Sequence, residues 1–249
     1  DRIIEIGNPE ITRLGLKSQS RRARRAALLA LDQMDQHALD PSEVIPLLSL
    51  SDPILSNTAE WIAGRHPEWG RELSGFFGDR LTNLSEDEQT ALEYQLRKFM
   101  GDPAIQKLAA RVVVHPGTTT PARLTALRAM AAANPDGMPP GWSIALAAAL
   151  ASQNRSVSAE AVTTARKLPR EELGESVNNA LSRVARDPQA IDRARIEALE
   201  IAAKKFGPLS SNLFGFLVGH VKSTEPVAVR AAAARALATV LLSREQLEE

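Results

Sequence analysis

SDPILSNTAEWIAGRHPEWG (51–70) holds a turn, a run at helical spacing and a corner. Thr58, Ala59, Trp61 and Ile62 follow the SDP turn one helical turn apart, Gly64 and Arg65 stand near the end, and Pro67 opens a second helix with Trp69 in its first turn. Two helices and a tight corner account for the whole stretch. Similar turns recur at GDP (101–103), RDP (186–188) and TEP (224–226), each ahead of an alanine-rich amphipathic run, and QNRS (153–156) is the same turn without its proline. They lie roughly 33 to 52 residues apart, the length of a helix pair. One such pair leaves an apolar face uncovered, so neighbouring pairs must stack to make a continuous core.

The rest of the chain reads the same way. RRARRAALLALDQM (21–34) puts Ala23, Ala27, Leu28, Leu31 and Met34 on one face and arginines on the other. DPSE (40–43) and SEDE (85–88) are capping boxes that start helices. Loops rich in Pro, Gly and Thr fall at HPGTTTP (115–121) and NPDGMPPG (134–141). The periodicity predicts helices over 19–36, 41–50, 53–66, 68–82, 86–100, 103–114, 121–134, 141–152, 155–168, 171–186, 189–206, 210–222 and 226–243. Residues 1–18 lack clear periodicity and are expected to form an irregular arm.

Composition excludes some functions and names no partner. The 249 residues exceed one ordinary core, which suits an elongated array. Thirty basic residues balance thirty acidic ones, so no long-range field draws the chain to nucleic acid or to an anionic membrane. With no cysteine there is no disulfide, thiolate metal site, thiol nucleophile or covalent haem attachment in this segment. No apolar run is long enough for a membrane span. The chain begins DRIIEIGNPE without methionine, and is expected to be a piece of a longer multidomain protein.

DPILSNTAEWIAGR, DPAIQKLAARVVV and EPVAVRAAAARAL resemble the second helix of HEAT repeats, in which an Asp-Pro turn precedes a helix with small residues at its contacts. The resemblance spans most of residues 20–243. It implies an all-α fold, a right-handed α-α superhelix: a HEAT-like, armadillo-type solenoid of about six helix pairs over residues 19–249. Many such arrays carry an arginine after the turn that forms an Asp/Arg ladder. Arg230 and Arg193 match, whereas Ser56 and Gln106 stand in that region of the earlier copies. A narrower resemblance runs through RRARRAALLALDQMD, VIPLL, SDP and EWIAGRHPEWG, which look like the helical segment of large secreted bacterial proteins of the planctomycete type. There a dehydrogenase-like propeller, a HEAT region and a cytochrome c module share one chain. That likeness implies an extracytoplasmic spacer between modules, in a parent protein that is an oxidoreductase.

Two clusters are candidate contact sites. Trp61, Arg65, His66 and Trp69 either plug a corner with two indoles or form an aromatic and basic ligand patch, the second requiring an exposed indole. SRRARR (20–25) concentrates Arg21, Arg22, Arg24 and Arg25, as a solvated helix face, a polar cover for the end of the stack, or a phosphate contact. His37, His66, His115 and His220 show no metal-ligand spacing, and His66 and His115 precede prolines at helix ends, where an imidazole can cap carbonyls. GWSIA (141–145) departs from a nucleophile elbow and reads as a helix start. Glu86 with Glu88 and Glu171 with Glu172 suit helix N-termini better than acid/base chemistry, and GTTTP lacks the lysine of a phosphate loop.

The expected function is therefore a non-catalytic scaffold or spacer. Its expected partners are proteins or neighbouring domains of the same chain, with nucleic acid not expected and no catalytic residue, metal or cofactor. The alternative is a HEAT-like DNA-binding enzyme of the alkylpurine DNA glycosylase type, suggested by three tryptophans and SRRARR and opposed by the neutral charge. A lyase-like HEAT protein handling a bilin shares the repeat signal but needs the missing cysteine.

Overall fold

A computed structural model describes residues 8–34, 38–133, 135–203, 206–222 and 224–248, which leaves His37 and the first seven residues of the expected arm outside the described chain. The described residues are helical, with no strand. They divide into two compact units, Asp1–Arg80 with Lys98–Ile105, and Leu81–Arg97 with Gln106–Glu249.

In the first unit the chain starts differently from the expected arm. Asn8 caps α1 (Pro9–Leu14) by accepting the Ile11 N–H at 3.0 Å, and a 3-10 turn (Gly15–Lys17) continues onto α2 (Arg21–Gln33). An Asn-Pro start is enough for one and a half turns, too short to show a helical period. Ser20 caps α2, whose Ala27, Leu28, Ala30 and Leu31 are buried. The Asp40/Glu43 capping box starts α3 (Pro41–Val44), but the helix expected to run to residue 50 becomes a 3-10 turn at Ile45–Leu47. Pro46 has no N–H to donate to the ladder. Asp52 then caps α4 (Pro53–Ala63) through the Ile54 and Leu55 amides.

Helices α2 and α4 pack side by side and run in the same direction. Arg21 lies near Asp52 at their starts, 4.0 Å apart, and Asp32 meets His66 at their ends. After the 3-10 turn Pro67–Trp69, α5 (Gly70–Thr82) begins against the Asp102 side chain. A Cβ at position 70 would collide with that side chain, so glycine sets this close approach. Helices α6 (Gln89–Phe99) and α7 (Pro103–Val114) follow, and the Phe77 and Phe99 rings meet at 5.4 Å in the first unit.

In the second unit helices α8 to α14, between residues 120 and 239, pack on near neighbours in sequence. Helices α8 (Thr120–Ala132), α10 (Arg155–Lys167), α12 (Asp192–Ile201) and α14 (Val227–Thr239) form one row, each against the next. Helix α9 (Trp142–Leu150) packs on α10 and on α11 (Gly174–Arg186), α11 packs on α12, and α13 (Ser211–His220) packs on α14. Helix α15 (Arg244–Glu248) ends the described chain. Buried Ala126, Ala129, Ala161, Ala165, Ala198, Ala233 and Ala236 let the axes of the first row come close. Thr164 Oγ1 donates across that row to Leu127 O at 3.1 Å, and Trp142, wholly buried, donates from Nε1 to Gln106 O at 3.1 Å. Gly141, at φ 83°, supplies the left-handed start of α9, so GWSIA is a helix start, as its sequence suggests.

This is an α-α solenoid. Counted in chain order, the described helices from α2 to α15 make seven consecutive twos, where about six pairs were expected. Consecutive first helices start at Ser20 and Asp52, then at Thr119, Asn154, Ile191 and Pro226, with intervals of 32, then 35, 37 and 35 residues. That repeat is tighter than the turn spacing, because look-alike turns open different members of a pair. Asp52 starts the first helix of its pair and Asp102 the second.

Candidate partner-binding site

The α2–α4 surface gathers side chains that lie in separate clusters of the sequence. Arg22, Arg25, Ala26, Leu29 and Gln33 recur along α2, and Pro53, Ile54, Asn57, Thr58 and Trp61 along α4; together they line an open groove of about 960 Å³. Both sets follow the three-to-four spacing of one helix face. Trp61 is 47% exposed, whereas Trp69 is 7% and Trp142 is 0% exposed. Of the two indoles in the opening stretch, one plugs the corner and the other stands at the groove.

The corner itself is built on His66. Its Nε2 lies 2.8 Å from Asp32 Oδ1 and its Nδ1 2.6 Å from Glu68 Oε1, while the ring stacks on Trp69 at 4.1 Å between centroids. The Asp32 carboxylate is fully enclosed, with Arg65 Nε 3.7 Å from Oδ2. Arg65 in turn lies over the Trp61 ring at 4.6 Å. His66 thus binds carboxylates, not the carbonyls expected at a helix end. His115 also differs, since its Nδ1 accepts the Gly117 N–H at 3.2 Å. A carbonyl contact is made instead by His220, whose Nδ1 lies 2.8 Å from Phe216 O.

The arginine run divides. Arg21 faces Asp52, and Arg24 lies outside the groove, in an adjoining depression that it lines with Arg21, Arg22, Leu50, Ser51 and Asp52. Arg22 and Arg25 reach the groove, and neither has a carboxylate within ion-pair distance among the described residues.

The row of the second unit carries a different surface at corresponding positions. The sixth residue after the helix cap is Thr58 in α4, Glu160 in α10 and Glu197 in α12; the ninth is Leu29 in α2, Trp61 in α4, Arg128 in α8, Glu200 in α12 and Arg235 in α14. Arg128 bonds to Glu160 at 3.0 Å, Glu197 receives Arg193 at 3.0 Å and Arg166 at 3.6 Å, and Glu200 receives Arg170 at 3.2 Å and Arg235 at 3.5 Å. Glu197 is only 2% exposed. A ladder therefore exists, but it joins arginine to glutamate along the row. Arg193, one of the two residues expected to match an Asp/Arg ladder, pairs within its own helix.

No known protein family matches the chain, and no curated protein matches it. Among the solved structures that match, the crystal structure of one engineered protein, a structural-genomics target, is 16% identical, with a TM-score of 0.44 over 96% of this chain and 68% of that one. A second engineered protein from the same source is 15% identical, with a TM-score of 0.38 over 98% of this chain and 100% of that one. Likeness at this level assigns neither a family nor an activity.

Asp32, Leu29 and Ile54 complete the first-unit site, and the sequence clusters did not include them. Leu29 carries a signal in its helical spacing from Arg22 and Arg25; Asp32 carries none, because its partner lies in the next repeat. Among the described residues no group of three His, Asp or Glu side chains converges as a metal site, and no helix is long and apolar enough to cross a membrane.

Proposed function

We propose that this chain is a non-catalytic interaction module, a scaffold or spacer within a longer multidomain protein, which holds another protein or a neighbouring domain on its helix rows. The observation that supports this is the α2–α4 groove, where apolar lining, a half-exposed indole and two guanidinium groups without a carboxylate partner among the described residues meet on a packed pair of helices. A contact surface of this kind combines aromatic and arginine anchors. No cofactor enters the reading.

The test places a photo-crosslinking residue at position 61 in the protein as its own cells make it, with position 144 as an exposed control in the second unit. Discrete adducts to one protein, or to one segment of the parent chain, are expected at 61 and not at 144. Turnover of alkylated duplex DNA by the isolated chain at low salt would overturn the reading in favour of a glycosylase. The spacer part is checked by the gene: coding sequence for other folded modules on either side is expected.

A further inference from the structure

Resting on the interaction-module reading, the occupant of the α2–α4 groove can be specified. We infer that it is an acidic amphipathic helix of a protein partner, with apolar side chains seated between Leu29, Ile54 and Trp61 and carboxylates paired with Arg22 and Arg25.

The lining selects this class. Leu29 and Ile54 are half-buried, Ala26 is exposed, and Trp61 offers a flat face already covered on one side by Arg65. Apolar groups gain by entering such a groove. Arg22 and Arg25 sit one turn apart at its edge, and any apolar ligand laid there would withdraw water from them. Desolvating a guanidinium without a partner is costly, so a purely apolar segment or a basic one is penalised. Carboxylates beside the apolar groups remove that penalty, and planar guanidinium groups bind them with two parallel hydrogen bonds. The second unit shows the same solution within the chain, where Arg128, Arg166 and Arg235 are closed by glutamates of the adjacent helix.

Geometry favours a helix over an extended strand. The groove follows two parallel helices from Arg22 to Gln33 and from Pro53 to Trp61, a length of roughly 12 to 17 Å at 1.5 Å per residue. Neither helix offers free backbone donors or acceptors along its length, so a strand would find no ladder there. Helical side chains three and four apart match the step between Arg22 and Arg25. Nucleic acid is the less favoured class, since phosphates need a continuous basic track and most of this lining is apolar.

The probe is a displayed library of random sixteen-residue helical peptides, selected on the whole chain and counter-selected on Arg22→Glu/Arg25→Glu. Both arginines are exposed and have no carboxylate partner among the described residues, so the variant should keep its circular-dichroism melting curve. Surviving peptides should carry Glu or Asp next to Leu, Ile or Phe on one face. Binding is then read by the emission of Trp61, with Trp61→Phe as the control. Replacing the peptide carboxylates by amides should weaken binding about tenfold, and Arg22→Gln/Arg25→Gln should abolish the difference between the two peptides. Survivors without acidic residues, or equal binding of acid and amide peptides, would overturn the inference, as would a duplex DNA that binds wild type and not the charge-reversed variant. If no peptide survives while crosslinking at 61 still captures one defined protein, the acidic helix is wrong and the interaction module stands.

Discussion

The α2–α4 surface of the first unit and the α8–α10–α12–α14 row of the second use the same helical positions and finish them in opposite ways. In the second unit, glutamates at the sixth and ninth positions after the cap meet arginines from neighbouring helices and turns, and the surface is closed by its own charges. In the first, Ala26, Leu29, Thr58 and Trp61 stand at those positions, so Arg22 and Arg25 are left facing a partly apolar groove. One repeat geometry thus supports a self-satisfied surface and an open one. The difference lies in whether a carboxylate is present about one repeat away.

The largest contrast should come from the tryptophans. Trp142→Ala removes a wholly buried indole and its bond to Gln106, and should cost about 3–5 kcal/mol. Trp61→Ala should cost under about 1 kcal/mol, since its ring already meets solvent. Urea unfolding reads both, and equal losses would mean that Trp61 belongs to the core and the groove is closed. Next comes Glu197→Ala, which strands Arg166 and Arg193 around an enclosed site. Both arginines retain some solvent, so a loss of about 2 kcal/mol is expected, less than for a fully buried pair. A loss below about 0.5 kcal/mol would rank the ladder with ordinary surface pairs.

Paired charges in the first unit serve corners and caps. His66→Ala should cost about 1–2 kcal/mol by leaving the enclosed Asp32 with Arg65 alone. An unchanged urea midpoint would mean that Trp69 holds the corner without its stacked ring. Asp40 is a milder case. The Ser42 hydroxyl and amide donate to its carboxylate and hold it below the ordinary carboxylate range. The unfolded chain therefore takes up this proton at higher pH, and the cap stabilises the fold above about pH 4 and loses its effect as pH falls through the lower folded-state value. Asp40→Ala should cost about 1 kcal/mol at pH 7, with the difference from wild type shrinking as the pH falls below the ordinary carboxylate range.

The smallest effect tests the positional equivalence directly. Leu29→Arg with Thr58→Glu transplants the Arg128–Glu160 arrangement onto α2 and α4. A double-mutant cycle should show favourable coupling of about 0.5 kcal/mol, and the groove should lose its peptide binding. Zero coupling would mean that the two surfaces are not superposable at these positions.

Much of the fold was legible because its signals are local. Asp52 and Asp40 announced their helices through caps that act within one turn, and the alanine-rich runs showed their buried faces through a period of 3.6 residues. Helix α1 is too short to show a period, and the apolar pattern continues across Pro46 and so hides the interruption there. The site was legible only in pieces. Arg22, Arg25 and Trp61 appeared in two unrelated clusters, and Trp61 and Trp69, eight residues apart, could not be told apart as exposed and buried.

The order of residues is enough to make the chain helical, to place most helix starts and to require that helix pairs stack. Only the packed structure settles which basic side chains find a carboxylate: Arg128 meets Glu160 and His66 meets Asp32 across 32 and 34 residues of chain. Caps and periodicity report on a single turn of backbone. Pairing across a repeat depends on how one helix is set along and around the next, and that register is fixed only when the apolar faces close.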